Sequence, residues 1–275
     1  MIRMLFALVL SALAAAPRAE NAVVRLATTT STDNSGLLRA LLPRFERASG
    51  YRVQVIAVGT GKALRMGAAG DVDVVLVHAR AAEEAFVASG AGERRYPVMH
   101  NDFVLVGPRD DPAGVRAAGD IGEALRRIAA TRAPFVSRGD DSGTHKKERV
   151  LWRRAGITPR GRWYREAGQG MGRVLQIAGE LGAYTLSDRG TWLAMRDKLP
   201  SALLFSGGAA LRNPYGIIPV SAKRYPDVNH AGAMALVEWL TSPAGQQAID
   251  AFRVAGERLF IPDATRTTAR HAVAG

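Results

Sequence analysis

Three times in this chain, an apolar, β-prone run breaks off into a short turn of serine, threonine and glycine that opens a helix. The turns are residues 28–35, 59–62 and 137–144, with a weaker fourth at 184–191. A strand with two apolar faces must be covered on both, and helices alternating with such strands do this. The pattern therefore demands an α/β fold with mainly parallel sheets flanked by helices. In parallel sheets the strand-to-helix turns collect at the carboxyl edge of the strands, where such folds take up ligands.

Along the chain, residues 22–27 read as a strand and residues 28–36 as a polar turn. Leu37, Leu38, Leu41, Leu42 and Phe45 then recur at helical spacing up to Gly50, with Pro43 expected to kink or shorten that helix. Residues 51–58 and 72–77 are further strands, separated by the helix that residues 59–62 open, and a helix follows around residues 81–88. Residues 101–108 form the next strand. Beyond it the α/β pattern repeats to about Pro214, and the chain ends in helices, with Pro243 at a first helical position behind Ser242. The final portion has too few strands for a third unit and is expected to return to the first. The expected arrangement is two lobes joined by two crossovers: residues 22–105 with 216–262, and residues 106–215. A ligand cleft lies between them, and residues 263–275 form a flexible tail.

The third turn carries the most chemistry. A helix start exposes unpaired N–H groups and the positive end of its dipole, which favours anions. Arg138 adds a fixed cation with a planar fork of donors, and Ser142 and Thr144 add hydroxyls. Lys146 and Lys147 sit in the first helical turn, where cations do not stabilise a helix but do raise the local positive potential. A plain N-cap by Asp141 or Ser142 fits the same stretch, so cap and anion site both stand on local grounds. Three such turns meeting across a cleft would offer hydroxyls, backbone N–H groups and one arginine. That donor set suits a small tetrahedral dianion.

Other functions leave no matching pattern. Gly59-Thr60-Gly61-Lys62 misses a phosphate loop because Ile56 stands at the first glycine and Ala63 follows the lysine. Residues 168–173 miss the dinucleotide fingerprint because Arg173 replaces its third glycine. No Gly-x-Ser-x-Gly elbow occurs, and the five histidines show no metal spacing. A Ser142–His145 hydrolase pair is conceivable, but no orienting acid is evident. The four tryptophans fall in core patterns. The net charge of +12 is spread along the chain, which reads as solvated surface and not as a nucleic-acid patch.

Residues 1–19 read as a secretory signal: a basic start, a short apolar run, then small residues. With no cysteine there is neither a disulfide nor a lipoprotein anchor. The expected protein is periplasmic and monomeric, without a cofactor or a protein-ligated metal.

The motifs resemble those of the periplasmic tungstate-binding proteins of ABC transporters, over roughly Val23 to Pro262. Residues 28–32 and 58–64 look like that family's first-lobe signature, residues 98–108 like its crossing strand, and residues 137–148 and 184–191 like its second-lobe signatures. The resemblance implies a two-lobed type II periplasmic binding protein fold. Such a protein closes on tungstate and passes it to a membrane permease and its ATPase. By the same resemblance Thr30, Ser31, Thr60, Arg138, Ser142 and Thr144 are candidate oxyanion contacts, joined by Thr29, Gly61, Gly143 and Thr185 from the same motifs. Arg138 is the residue tied to anion choice. Asp140 and Asp141 are expected to turn outward or to orient Arg138. Molybdate and sulfate share the charge and shape of tungstate and remain alternatives.

Overall fold

The apolar strands of the first 80 residues form one parallel group around the first of them, and everything later is fitted around that group. The computed structural model describes residues 23–264. The expected signal at residues 1–19 and nearly all of the expected tail lie outside the described residues. In chain order the first unit is β1 (Val23–Thr29), α1 (Thr30–Asn34), α2 (Leu37–Ser49), β2 (Arg52–Val58), α3 (Thr60–Ala69), β3 (Val74–Val77) and α4 (Arg80–Ala88). β1 pairs in parallel with β2 on one side and β3 on the other. Strand β4 (Tyr96–Gly107) then leaves this unit.

The second unit comprises α5 (Ile121–Thr131), β5 (Phe135–Ser137), α6 (Gly143–Arg154), β6 (Tyr164–Glu166), α7 (Met171–Glu180), β7 (Thr185–Asp188), α8 (Arg189–Met195) and β8 (Ala202–Ser206). The return strand is β9 (Arg212–Pro219), followed by α9 (His230–Thr241), α10 (Pro243–Ala251), β10 (Arg253–Val254), β11 (Glu257–Arg258) and β12 (Ile261–Pro262).

The first sheet runs β12-β4-β9-β3-β1-β2. It is parallel over β2, β1 and β3, and antiparallel where β9 meets β3 and β4. The crossing strands explain that mixture, because they enter and leave the lobe in opposite directions. β4 serves both lobes. Its first half, through Asp102, pairs with β9, and its second half, from Phe103, pairs with β7 and β8. Pairing therefore changes inside the strand, ahead of the 105/106 boundary read from the sequence, and the return strand begins at Arg212 instead of 216. At the switch, Arg189 holds Asp102 with two hydrogen bonds of 2.6 and 2.8 Å.

The core has three parts. One cluster packs Leu37, Leu41 and Phe45 of α2 against Leu236, Leu240 and Ile249 of α9 and α10, and continues through Val104 and Val136 to Val174 in the second lobe. A second holds Phe135, Trp152, Tyr184 and Leu186 inside the second lobe. The third lies under α3 and α4. Trp152 and Trp192 are buried, as their helical spacing predicts. Pro43 neither stops nor shortens α2, which runs on to Gly50 in a left-handed conformation. Five buried apolar side chains on that helix, each worth about 2 kcal/mol on burial, offset one lost backbone hydrogen bond. Among the described residues no helix is long and apolar enough to cross a membrane.

Candidate functional site

β1 and β3 end side by side, so their carboxyl ends deliver Thr29 and His78 to the same edge. Thr29 caps α1, its Oγ1 accepting from Thr32 N–H at 3.2 Å and lying 2.6 Å from the Thr32 hydroxyl. Its Oγ1 also lies 3.1 Å from Ser31 Oγ and 3.2 Å from His78 Nε2. Ser31 Oγ is itself 3.3 Å from that nitrogen. The other ring nitrogen, Nδ1, stands 3.0 Å from Asn213 Oδ1, and the ring lies 4.7 Å from that of Tyr215. Asn213 in turn donates to Asn101 Oδ1 at 2.8 Å.

The second lobe answers with the loop between β5 and α6. Gly139 and Asp141 both adopt positive φ there, which folds the loop back over the start of α6. Arg138 Nε donates to Asp140 Oδ2 at 2.8 Å, and Asp140 Oδ1 accepts from Ser142 N–H at 3.1 Å. Burial works against the Asp140 carboxylate, but the Ser142 hydrogen bonds and the Arg138 charge outweigh it and hold its pKa below the ordinary value. Asp140 thus orients Arg138, while exposed Asp141 turns away and pairs with Lys146 at 3.3 Å. Ser142 Oγ accepts from His145 N–H at 3.3 Å and caps α6. The His145 ring turns elsewhere, its Nδ1 accepting from Asp141 N–H at 3.0 Å, so no Ser142–His145 side-chain bond forms.

The lobes meet at Gly143. A Cβ placed on it would stand 3.3 Å from His78 Cε1. Beside this contact lies a cavity of about 410 Å³ with Thr30, Ser31, Asn34 and Ser35 on one wall and Arg138 on the other. The start of α7, Gly170 to Arg173, and Gly190 and Thr191 of α8 close its remaining side.

Of the ten candidates, Thr30, Ser31 and Arg138 line the cavity, Thr29 and Gly143 stand against His78 beside it, and Ser142 caps α6 next to Gly143. Thr144 is buried in the first turn of α6. Thr60 and Gly61 open α3 and are not part of the cavity wall. Their strand, β2, is at the sheet edge furthest from the crossing. Thr185 is fully buried within β7, and its hydroxyl has no hydrogen-bond partner. The sequence reading missed His78 and the Gly170 turn as parts of the cleft, and it placed Thr191 in its weaker fourth turn without naming it as a contact. Each follows a strand or opens a helix, the same signal that marked the other turns. No group of three or more histidine, cysteine or carboxylate side chains that could hold a metal ion occurs among the described residues.

The PBP superfamily domain matches residues 16–244. A tungstate-binding protein TupA of Peptoclostridium acidaminophilum is 49% identical over 245 residues, covering 88% of this chain and 86% of its own. The chain belongs to the PBP superfamily, among its TupA-like solute-binding members. The solved tungstate-binding protein TupA of Desulfovibrio alaskensis G20 superposes with a TM-score of 0.82 at 46% identity, over 88% of this chain and 98% of that one. The solved tungstate ABC transporter chain of Geobacter sulfurreducens gives 0.77 at 52% identity, over 84% of this TupA-like chain and 99% of that one. The two-lobed fold and cleft of this TupA-like protein are thus those of a PBP-superfamily binding protein.

Proposed function

We propose that this protein is an extracytoplasmic receptor that captures a tetrahedral oxyanion, tungstate before others, and delivers it to the permease and ATPase of an ABC importer. The observation that carries this reading is Arg138, fixed by Asp140 on the cleft wall opposite the Thr30 and Ser31 hydroxyls. A dianion there meets one oriented cation and neutral donors from two lobes. Charge-assisted hydrogen bonds of this kind are about twice as strong as neutral ones. The names of the relatives support tungstate.

Asp140, the loop carboxylate that pairs with Arg138, is already engaged by Arg138 and Ser142 N–H. A protonated oxyanion such as hydrogen phosphate therefore brings a hydrogen that lacks a free acceptor, which costs it affinity. Ser142 serves as a helix cap, which favours binding over nucleophilic chemistry at this loop. The receptor is periplasmic, monomeric and cofactor-free in this reading, its first 19 residues acting as the export signal.

The deciding experiment is a calorimetric titration of the mature chain with tungstate, molybdate, sulfate and phosphate in competition. Tungstate is expected to bind tightest and phosphate weakest. Phosphate binding as tightly as tungstate sinks the reading, and a preference for molybdate or sulfate reassigns the ligand within it.

A further inference from the structure

His78 stands between the two lobes, hydrogen-bonded to Thr29 and Ser31 on one side and facing Gly143 on the other. It follows β3 directly, where Val77 pairs with Gly216, and this places its ring beside Tyr215. Its two nitrogens face different chemistry. Nδ1 faces Asn213 Oδ1, an acceptor, because the Asn213 amide nitrogen is spent on Asn101 Oδ1. An acceptor opposite Nδ1 requires the hydrogen to be there. In a neutral ring Nε2 is then bare and can only accept, and what it faces is two hydroxyls, Thr29 and Ser31.

We propose that His78 is a positioning residue for the anion cleft: its bare Nε2 takes the Thr29 hydroxyl hydrogen and leaves that of Ser31 for the ligand. This rests on the oxyanion-receptor reading. The hydrogen count supports it. Thr29 Oγ1 has two lone pairs and one hydrogen. On this assignment the lone pairs take the Thr32 N–H and the Thr32 hydroxyl, and the hydrogen goes to Nε2, the 2.6 Å contact between the two threonine hydroxyls fitting either as donor. With the hydrogens so assigned, Ser31 finds no vacancy at either neighbour, and its hydroxyl on the cavity wall keeps its hydrogen for the cleft. A one-way chain results, from Thr32 through Thr29 and His78 to Asn213 and Asn101.

The charges around the ring agree with that direction. Burial lowers the pKa of His78, and Arg138 across the cleft lowers it further, against the opposing pull of the Asn213 hydrogen bond and Asp188. A cation on the cleft side also favours a lone pair facing it over an N–H. Gly143 closes the remaining side, where its missing Cβ leaves the ring its place.

The test combines nitrogen-15 NMR of histidine-labelled mature protein at pH 7.5 with tungstate calorimetry on wild type, His78→Gln and His78→Phe. The expected spectrum shows the Nδ1–H tautomer for His78, which is the less common one in free imidazoles. His78→Phe should bind tungstate at least tenfold more weakly. His78→Gln, whose carbonyl reaches the Nε2 position, should recover to within about threefold of wild type. Thermal melting of the ligand-free variants separates this from a loss of folding. If His78→Phe does not fold, His78→Gln and the wild-type tautomer decide. An Nε2–H tautomer or an imidazolium at this pH overturns the assignment, as does folded His78→Phe binding within twofold of wild type. Failure of wild type to bind tungstate, molybdate or sulfate removes the receptor reading and this role with it, while the tautomer signal still reports separately whether the chain runs as described.

Discussion

Gly143 of α6 and His78 of β3's end stand against each other across the cleft, so closely that a Cβ on the glycine would sit 3.3 Å from the ring. Asn213 and Tyr215 hold the ring from behind, which leaves it little room to yield. Gly143→Ala should therefore wedge the lobes slightly apart. Overpacking of this sort costs about 1 kcal/mol at its mild end, or roughly fivefold in affinity. Alanine is also the better helix former, so the ligand-free protein should melt no lower than wild type. Weaker tungstate binding by calorimetry with an unchanged or higher melting point is the expected pair of results. Unchanged affinity would mean that the contact does not bear on closure.

Arg138 is the cleft's single oriented cation among the residues lining its wall apart from exposed Arg173. Arg138→Gln removes the charge while keeping a donor. The expected loss in tungstate affinity is about 2 kcal/mol, near thirtyfold. Arg138→Lys should fall between, because a single ammonium cannot serve Asp140 and a ligand with the same planar fork. A titration series across the three proteins checks the order.

Ser142 both caps α6 and lies in the anion loop, and two substitutions separate these roles. Ser142→Ala should cost about 1 kcal/mol of stability through the lost cap. Ser142→Asp restores a capping oxygen but adds a negative charge beside Asp140, so stability should recover while tungstate binding drops more than tenfold. Chemical denaturation and calorimetry on the same preparations read the two effects. Equal losses in both variants would contradict the separation.

Glu148 gives a pH signature. Burial raises its pKa to about 7, and the hydrogen bonds from Tyr164 at 2.8 Å and Trp152 at 3.2 Å offset only part of that cost. The folded protein thus holds a proton that the unfolded chain releases near its ordinary pKa of 4.5. Stability is undiminished below that value and declines as pH rises from 4.5 to about 7. The full decline is about 3 kcal/mol. Glu148→Gln should flatten the slope between pH 5 and pH 8, and denaturant midpoints at those two values test it.

Much of the fold was legible because local chemistry and packing agreed. Gly50 ends α2 in the left-handed conformation its sequence position implied, and Ser242 with Pro243 begins α10 as expected. Elements that depend on distant partners were not. The first half of β4 contains Pro97, His100 and Asn101 and lacks an apolar run, yet it is a strand because β9 pairs with it from more than 100 residues away. β6, β10, β11 and β12 are too short to show a period. α1 consists of poor helix formers and exists through the Thr29 cap.

The candidate site divides the same way. Residues 137–144 and 28–35 carry a local pattern whose Arg138, Thr30 and Ser31 line the cavity, whereas residues 59–62 carry the same pattern behind the edge strand and outside its wall. Nothing in the sequence distinguishes β2 as the edge, since strand order is set by the whole sheet. His78 was unreadable for a related reason: its meaning comes from Asn213, 135 residues later.

Strand β4 belongs to both lobes without interruption, from Tyr96 to Gly107, and β9 returns beside its first half. A rotation of one lobe on the other therefore has no slack loop in β4 to absorb it. It must be taken up as twist in the strand's own backbone, about the point where Arg189 grips Asp102. It must also slide the continuous apolar layer that runs from Phe45 to Val174. Lobe motion is thereby tied to a torsion of the crossing strand and not to a slack hinge, with that layer and that ion pair lying in its way.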